Sequence, residues 1–94
     1  MIKSLSKKAP RRVGPFLQQA RVDAGFTQAD VAKVLGYTSA QFVSDWERGV
    51  RSPPARALRR LVKLYKISVH DLYEVLHEER VALIEKELKK DLFG

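Results

Sequence analysis

The feature that most constrains the fold is a series of short apolar segments separated by helix-capping residues and glycines. Thr27 stands three residues before Asp30, which is the spacing of a capping box, and Gly36 follows the last apolar position of the same segment. Similar segments recur along the chain, and none alternates apolar and polar residues for long enough to predict a strand. We therefore predict an all-α fold of five short helices.

The other predicted helices also begin at a proline or at a hydroxyl side chain, the residue types preferred at helix starts. The expected starting residues are Pro15, Thr38, Ser52 and Ser68. Thr38 is expected to form a capping box with Gln41, and the third helix should end at Gly49. The fifth segment has an apolar stripe that we expect to face the core, formed by Val69, Leu72, Tyr73 and Leu76.

The charge is distributed unevenly over the 94 residues. Residues 1–66 contain fourteen Lys/Arg and four Asp/Glu, a balance of +10, whereas residues 67–94 have a balance of −3. A basic body of this kind favours a polyanionic partner. The chain is long enough for one domain, and the absence of cysteine excludes disulfides and thiolate sites.

The first part of the chain differs from the rest in composition. Residues 1–13 contain five Lys/Arg and no acidic residue, with few apolar side chains. Such a segment cannot bury enough surface to order itself, so we expect either a mobile basic arm that contacts the partner or an inert solvated tail.

The last part of the chain, residues 78–94, is predicted to form a helical extension. Its apolar stripe consists of Val81, Ile84, Leu88 and Leu92 and lies about 100° around the helix from the stripe that precedes it. Either the helix breaks near residues 77–79, or the second stripe meets a different partner. We expect these four residues to form a homodimer interface, and the alternative is that the tail folds back on its own domain.

The second and third predicted helices are separated by a tight turn that contains Gly36. A helix-turn-helix requires this arrangement, because one helix braces on the DNA backbone while the next enters the major groove. The pattern therefore favours a DNA-binding module.

Residues 14–76 resemble the repressor/Cro-type (XRE) helix-turn-helix family. The matching residues are Arg21, Gly25, Thr27-Gln28-Ala29, Ala32, Gly36, Ser44 to Gly49, Pro53-Pro54, Leu61, Tyr65, Ser68 and Leu72. The resemblance implies a five-helix lambda-repressor-like DNA-binding domain over residues 14–77. Twelve residues separate Gly36 from Gly49, where the family more often has eleven, and we place the extra residue between Tyr37 and Ala40.

The third helix has a predicted core side and a predicted reading side. Val43 and Trp46 are expected to face the core, so the opposite side should be exposed and polar. The candidate base-reading residues on that side are Gln41, Ser44, Asp45 and Arg48. Glutamine can pair with adenine, arginine with guanine, and a carboxylate can accept from cytosine.

Three further residues are candidates for phosphate contacts. The resemblance and the exposed N–H groups of a helix N-terminus both favour Gln28, and we add Ser39 and Arg51. The resemblance also implies that Glu47, which lies at an unfavourable position for an anion, pairs with Arg21 on the first helix, with Arg48 as the competing local partner.

Catalysis is not expected. His70 and His77 have no accompanying cluster of ligands, and neither a phosphate-binding glycine loop nor a nucleophile motif occurs, so we expect no metal and no cofactor. No apolar run is long enough to span a membrane, and we expect a cytoplasmic DNA-binding transcriptional regulator. The alternatives are an antitoxin-type protein that sequesters a partner protein, and an interaction module without DNA affinity.

Overall fold

The computed structural model describes residues 12–94, and most of them lie in five α-helices. These are α1 (Val13–Asp23), α2 (Gln28–Leu35), α3 (Gln41–Arg48), α4 (Ala55–Tyr65) and α5 (Val69–Phe93). No strand occurs between residues 12 and 94, so the prediction of an all-α fold with five helices is confirmed.

The predicted basic arm lies mostly outside the described residues, since these begin at Arg12. Val13 is predicted as part of the arm, but it belongs instead to the first turn of α1 and is only 6% exposed. Its apolar side chain is part of the core, and the domain therefore begins before residue 14.

One core joins all five helices. Its buried apolar residues are Val13, Leu17, Val31, Ala32, Val43, Trp46, Ala57, Leu61, Tyr65, Leu72 and Val75. The helices α1 and α3 pack closely, and Gly14 makes this approach possible: a Cβ atom there would clash with the backbone carbonyl of Glu47.

Three of the predicted helix starts are displaced. Pro15 is the third residue of α1 rather than the first, a position it tolerates because the N–H groups of the first turn have no intrahelical partner. Helix α3 begins at Gln41 with Ala40 as N-cap and no side-chain cap, so the predicted Thr38–Gln41 capping box is wrong. Helix α4 begins at Ala55 rather than near Ser52. A proline disfavours helical geometry at the residue before it, and both Ser52 and Pro53 precede a proline.

Helix α5 runs unbroken over 25 residues, which excludes the predicted alternative of a break near residues 77–79. Ser68 caps it as predicted, by accepting a hydrogen bond from the Asp71 N–H. The inward side is formed by Leu72 and Val75, whereas the other three members of the predicted inward stripe are exposed, namely Val69, Tyr73 and Leu76. The inward direction is thus rotated from the one that the apolar pattern predicted.

Candidate nucleic-acid interface

Helices α2 and α3 form a helix-turn-helix. The N-terminus of α2 has the predicted capping box: Thr27 Oγ1 accepts from the Asp30 N–H at 3.0 Å, and Asp30 accepts from the Thr27 N–H at 2.9 Å. The backbone bond from Thr27 lowers the pKa of Asp30. Gly36 ends α2 with a φ of 88°, a left-handed conformation that strongly favours glycine. Residues 37–40 then form the turn, the region where we placed the extra residue.

The third helix has the two sides that its sequence predicts, with one exception. Val43 and Trp46 are 1% and 3% exposed and face the core. Gln41 and Arg48 are exposed, and Ser44 between them is half-buried. Of the four candidate base-reading residues, only Asp45 is buried.

Asp45 is 5% exposed because its neighbours cover it, which corrects the expectation that it lies on an open polar stripe. Its carboxylate accepts hydrogen bonds from Gln41 Nε2 at 2.8 Å, from Arg48 Nη2 at 2.8 Å and from Arg51 Nε at 3.1 Å. The bond from Gln41 and the two guanidinium groups hold the pKa of this carboxyl below its ordinary value. Asp45 is therefore ionised, and both of its carboxylate oxygens accept hydrogen bonds within the protein.

Arg51 lies beside this cluster and is held twice. Besides its bond to Asp45, its guanidinium lies 5.0 Å from the ring centroid of Phe42, a cation–π arrangement. The Phe42 ring in turn lies 4.9 Å from that of Tyr37. Phe42 lies in α3 and Arg51 lies beyond Gly49, so helical spacing alone does not predict this contact.

A second polar cluster lies at the end of α3, around Glu47. Arg21 Nε donates to Glu47 Oε2 at 2.7 Å and Arg21 Nη2 donates to Oε1 at 3.2 Å, so the expected pair is present as a two-pronged contact. The two side chains are 11% and 3% exposed. The hydrogen bond to Glu47 raises the pKa of the Arg21 guanidinium.

Gln28 also belongs to the Glu47 cluster, since its Nε2 donates to Glu47 Oε1 at 2.8 Å. An amide nitrogen carries two hydrogens, so one remains available for a phosphate oxygen. Glu47 thus ties α1, the start of α2 and the end of α3 together.

The remaining candidate residues lie apart from these clusters. Ser39 is exposed in the turn, and its Oγ accepts from the Gln41 N–H at 3.3 Å. Helix α4 presents exposed basic side chains, of which Arg60 is anchored to the Val34 carbonyl at 2.9 Å. The predicted dimerisation residues of α5 are all exposed, at 38% for Val81, 56% for Ile84, 53% for Leu88 and 66% for Leu92.

Residues 12–94 contain neither a candidate metal site nor a membrane-spanning helix. Within that range no group of three or more His, Cys, Asp or Glu side chains is placed to hold a metal ion. None of the described helices is long and apolar enough to cross a membrane.

Comparison with known families matches residues 12–80 to the helix-turn-helix domain family. No curated protein and no solved structure matches the chain significantly. The family match covers well over half of the 94 residues and includes all of α1 to α4 and the start of α5. The chain therefore belongs to the helix-turn-helix domain family.

Proposed function

We propose that this protein is a transcriptional regulator that binds double-stranded DNA sequence-specifically. It acts in the cytoplasm as a repressor and not as an enzyme. The observation that carries the proposal is the outer side of α3, where Gln41 and Arg48 are exposed next to Arg51 in a helix-turn-helix. Amide and guanidinium groups are those that pair most selectively with base edges in the major groove. Repression follows from occupancy of a promoter by the bound protein.

The contacts divide into two classes. Gln41, Ser44 and Arg48 lie on α3 and read bases, whereas Arg51, Gln28 and Ser39 lie at the ends of helices and in the turn and contact phosphates. Phosphate contacts fix the register of the protein on the duplex, and base contacts supply the sequence preference.

We propose that the protein binds a palindromic operator as a homodimer through α5. With 100° per residue, the stripe of Val81, Ile84 and Leu88 lies roughly opposite the buried Leu72 and Val75, so it faces away from its own domain. Spacings of three and four residues are those of the apolar seam in a two-stranded coiled coil.

A second copy of the chain is the occupant we favour, for reasons of charge and of recognition. Arg80 and Glu85 flank the stripe at positions where opposite charges of two helices meet across a coiled coil. One recognition helix reads too few base pairs to select a genomic site, and a two-fold dimer doubles the number it reads.

The test is a binding titration on duplex DNA at increasing salt. Because residues 1–66 carry a balance of +10, we expect affinity to fall by orders of magnitude between about 50 and about 200 mM salt. Single-stranded DNA of the same sequence is the control and should bind more weakly. An affinity for duplex that does not change with salt, or no affinity at all, would contradict the proposal.

A further inference from the structure

The carboxylate of Asp45 is the point at which three side chains of the proposed interface meet. Gln41 and Arg48 both donate to Oδ1, and Arg51 donates to Oδ2. The three donors come from the first turn of α3, from its last turn and from the loop beyond it. No other described carboxylate accepts hydrogen bonds from both Arg48 and Arg51.

We propose that Asp45 is a positioning residue that sets the specificity of this interface, and that it does not itself read a base. The inference rests on the proposed DNA binding of α3. Both oxygens of Asp45 already accept charged or amide donors, and the side chain is only 7% exposed. Because these donors cover the carboxylate, a cytosine amino group could reach Asp45 only if at least one of them moved aside.

Asp45 acts on Arg48 and Arg51 by restricting their rotation before DNA arrives. A free arginine loses much rotamer entropy when it is fixed on a target, and prior fixation removes that cost from binding. Arg51 is restricted twice, by Asp45 and by the Phe42 ring. Fixing Arg48 in one direction favours one arrangement of base acceptors and so favours one sequence, whereas fixing Arg51 sets the register of the protein on the phosphates.

The negative charge of Asp45 has a second effect. It offsets one of the two guanidinium charges, so the cluster of Asp45, Arg48 and Arg51 carries a net charge of about +1 rather than +2 at neutral pH. A smaller net charge weakens attraction to phosphates of any sequence. Asp45 thus lowers non-specific affinity while it orients the groups that supply specific affinity.

The backbone of Asp45 has a separate role that a change of side chain leaves in place. Its carbonyl accepts from the Val50 N–H at 2.9 Å and from the Arg51 N–H at 3.3 Å, which closes the end of α3. Asp45→Asn keeps the size of the side chain and this backbone closure, but it removes the charge and replaces one acceptor oxygen by an NH2 donor, which cannot accept from the arginines or from Gln41. It is therefore the variant of choice.

The experiment compares Asp45→Asn with the wild-type protein on the best duplex selected by the wild type and on a scrambled duplex, over a range of salt. We expect the variant to bind the scrambled duplex more tightly, with a steeper salt dependence, and the ratio of the two affinities to fall by about tenfold. The control is Asp23→Asn, which removes the same charge from an exposed position at the end of α1 and should leave the ratio unchanged. An unchanged ratio in Asp45→Asn, or an altered preference at a single base pair alone, would overturn the proposal.

A measurement on the free protein keeps the test decisive if the variant does not fold or the wild type binds no duplex. In NMR spectra of the wild type, the Nη2 group of Arg48 and the Nε–Hε group of Arg51, which both donate to Asp45, should give resolved signals with restricted motion, in contrast to Arg59, an exposed arginine of α4. Freely rotating guanidinium groups at both positions would contradict positioning by Asp45. Absence of duplex binding with restricted arginines would instead contradict the proposed function.

Discussion

Arg21 and Glu47, 26 residues apart, form a two-pronged ion pair in which Nε and Oε2 are 2.7 Å apart and both side chains are largely shielded from solvent. Arg21 also donates to the Phe26 carbonyl at 2.8 Å, so the pair holds the end of α1, the following loop and the end of α3 in one arrangement.

Glu47→Ala should therefore destabilise the fold more than it alters sequence preference. Loss of the carboxylate leaves the Arg21 guanidinium shielded without its partner, and breaking a buried pair on one side costs about 3–5 kcal/mol. Asp23→Ala, at an exposed acid, should cost less than about 1 kcal/mol. Thermal and urea unfolding decide the matter: an unchanged midpoint together with an altered base preference would make Glu47 a base-reading residue.

The site could be predicted from the sequence where helical spacing alone determines exposure. Val43 and Trp46 were correctly placed in the core, and Gln41 and Arg48 on the opposite side, because all four lie within one regular helix. Asp45 was not, because the side chain that completes its burial belongs to Arg51, beyond the left-handed turn at Gly49. A helical wheel contains no information on residues outside the helix.

Some features of the fold could likewise be predicted from the sequence, and others could not. The all-α class and the capping box of α2 follow from local signals. The inward side of α5 does not, because apolar residues occupy a wide arc of that helix and its packing on the rest of the domain, α1 included, selects Leu72 and Val75. The role of Gly14 also depends on the approach of α3, although a glycine in the first turn of a helix is a signal that could have indicated close packing.

Tyr65 should make the stability of the fold sensitive to alkaline pH. Burial, with a contribution from the Glu47 charge, raises its pKa to about 12, whereas an unfolded tyrosine ionises near about 10. The unfolded state therefore releases this proton first, so the contribution of Tyr65 is fully present below about pH 10 and is lost as the pH rises towards 12. Unfolding measurements from pH 8 to 12 should show a smaller decline for Tyr65→Phe than for the wild type, with the exposed Tyr73→Phe as control. Parallel declines in the wild type and Tyr65→Phe would contradict the assignment.

Base-reading and phosphate-contacting residues should respond differently to substitution. Gln41→Ala and Arg48→Ala should each relax preference at particular base pairs by roughly 1–3 kcal/mol, since a bidentate contact is lost. Arg51→Ala should weaken binding to all duplexes about equally. It should also reduce the slope of log affinity against log salt concentration by the amount expected for about one phosphate contact. Affinities for a panel of single-base operator variants separate the two classes. If all three substitutions gave the same profile, the division would be wrong.

The α5 stripe offers a closely matched pair of positions for testing the dimer. Ile84 and Leu83 are 56% and 57% exposed, but only Ile84 lies on the stripe with Val81 and Leu88. Ile84→Glu should give a folded monomer that binds the operator much more weakly, and Leu83→Glu should remain a dimer. Light scattering and sedimentation measure the mass. A wild-type monomer, dimers of both variants, or a stoichiometric second protein in place of the second copy would contradict the proposed interface.

The most direct test of the central claim is selection of bound sequences from a pool of random duplex DNA. The wild-type protein should enrich an inverted repeat whose half-sites lie about 10 base pairs apart, centre to centre, as a two-fold helix-turn-helix dimer requires. The same selection with Gln41→Ala/Arg48→Ala, a variant that keeps Val43 and Trp46 in the core, should lose the enriched half-site. A wild-type pool without any enriched sequence, or the same motif from both proteins, would contradict base reading by α3.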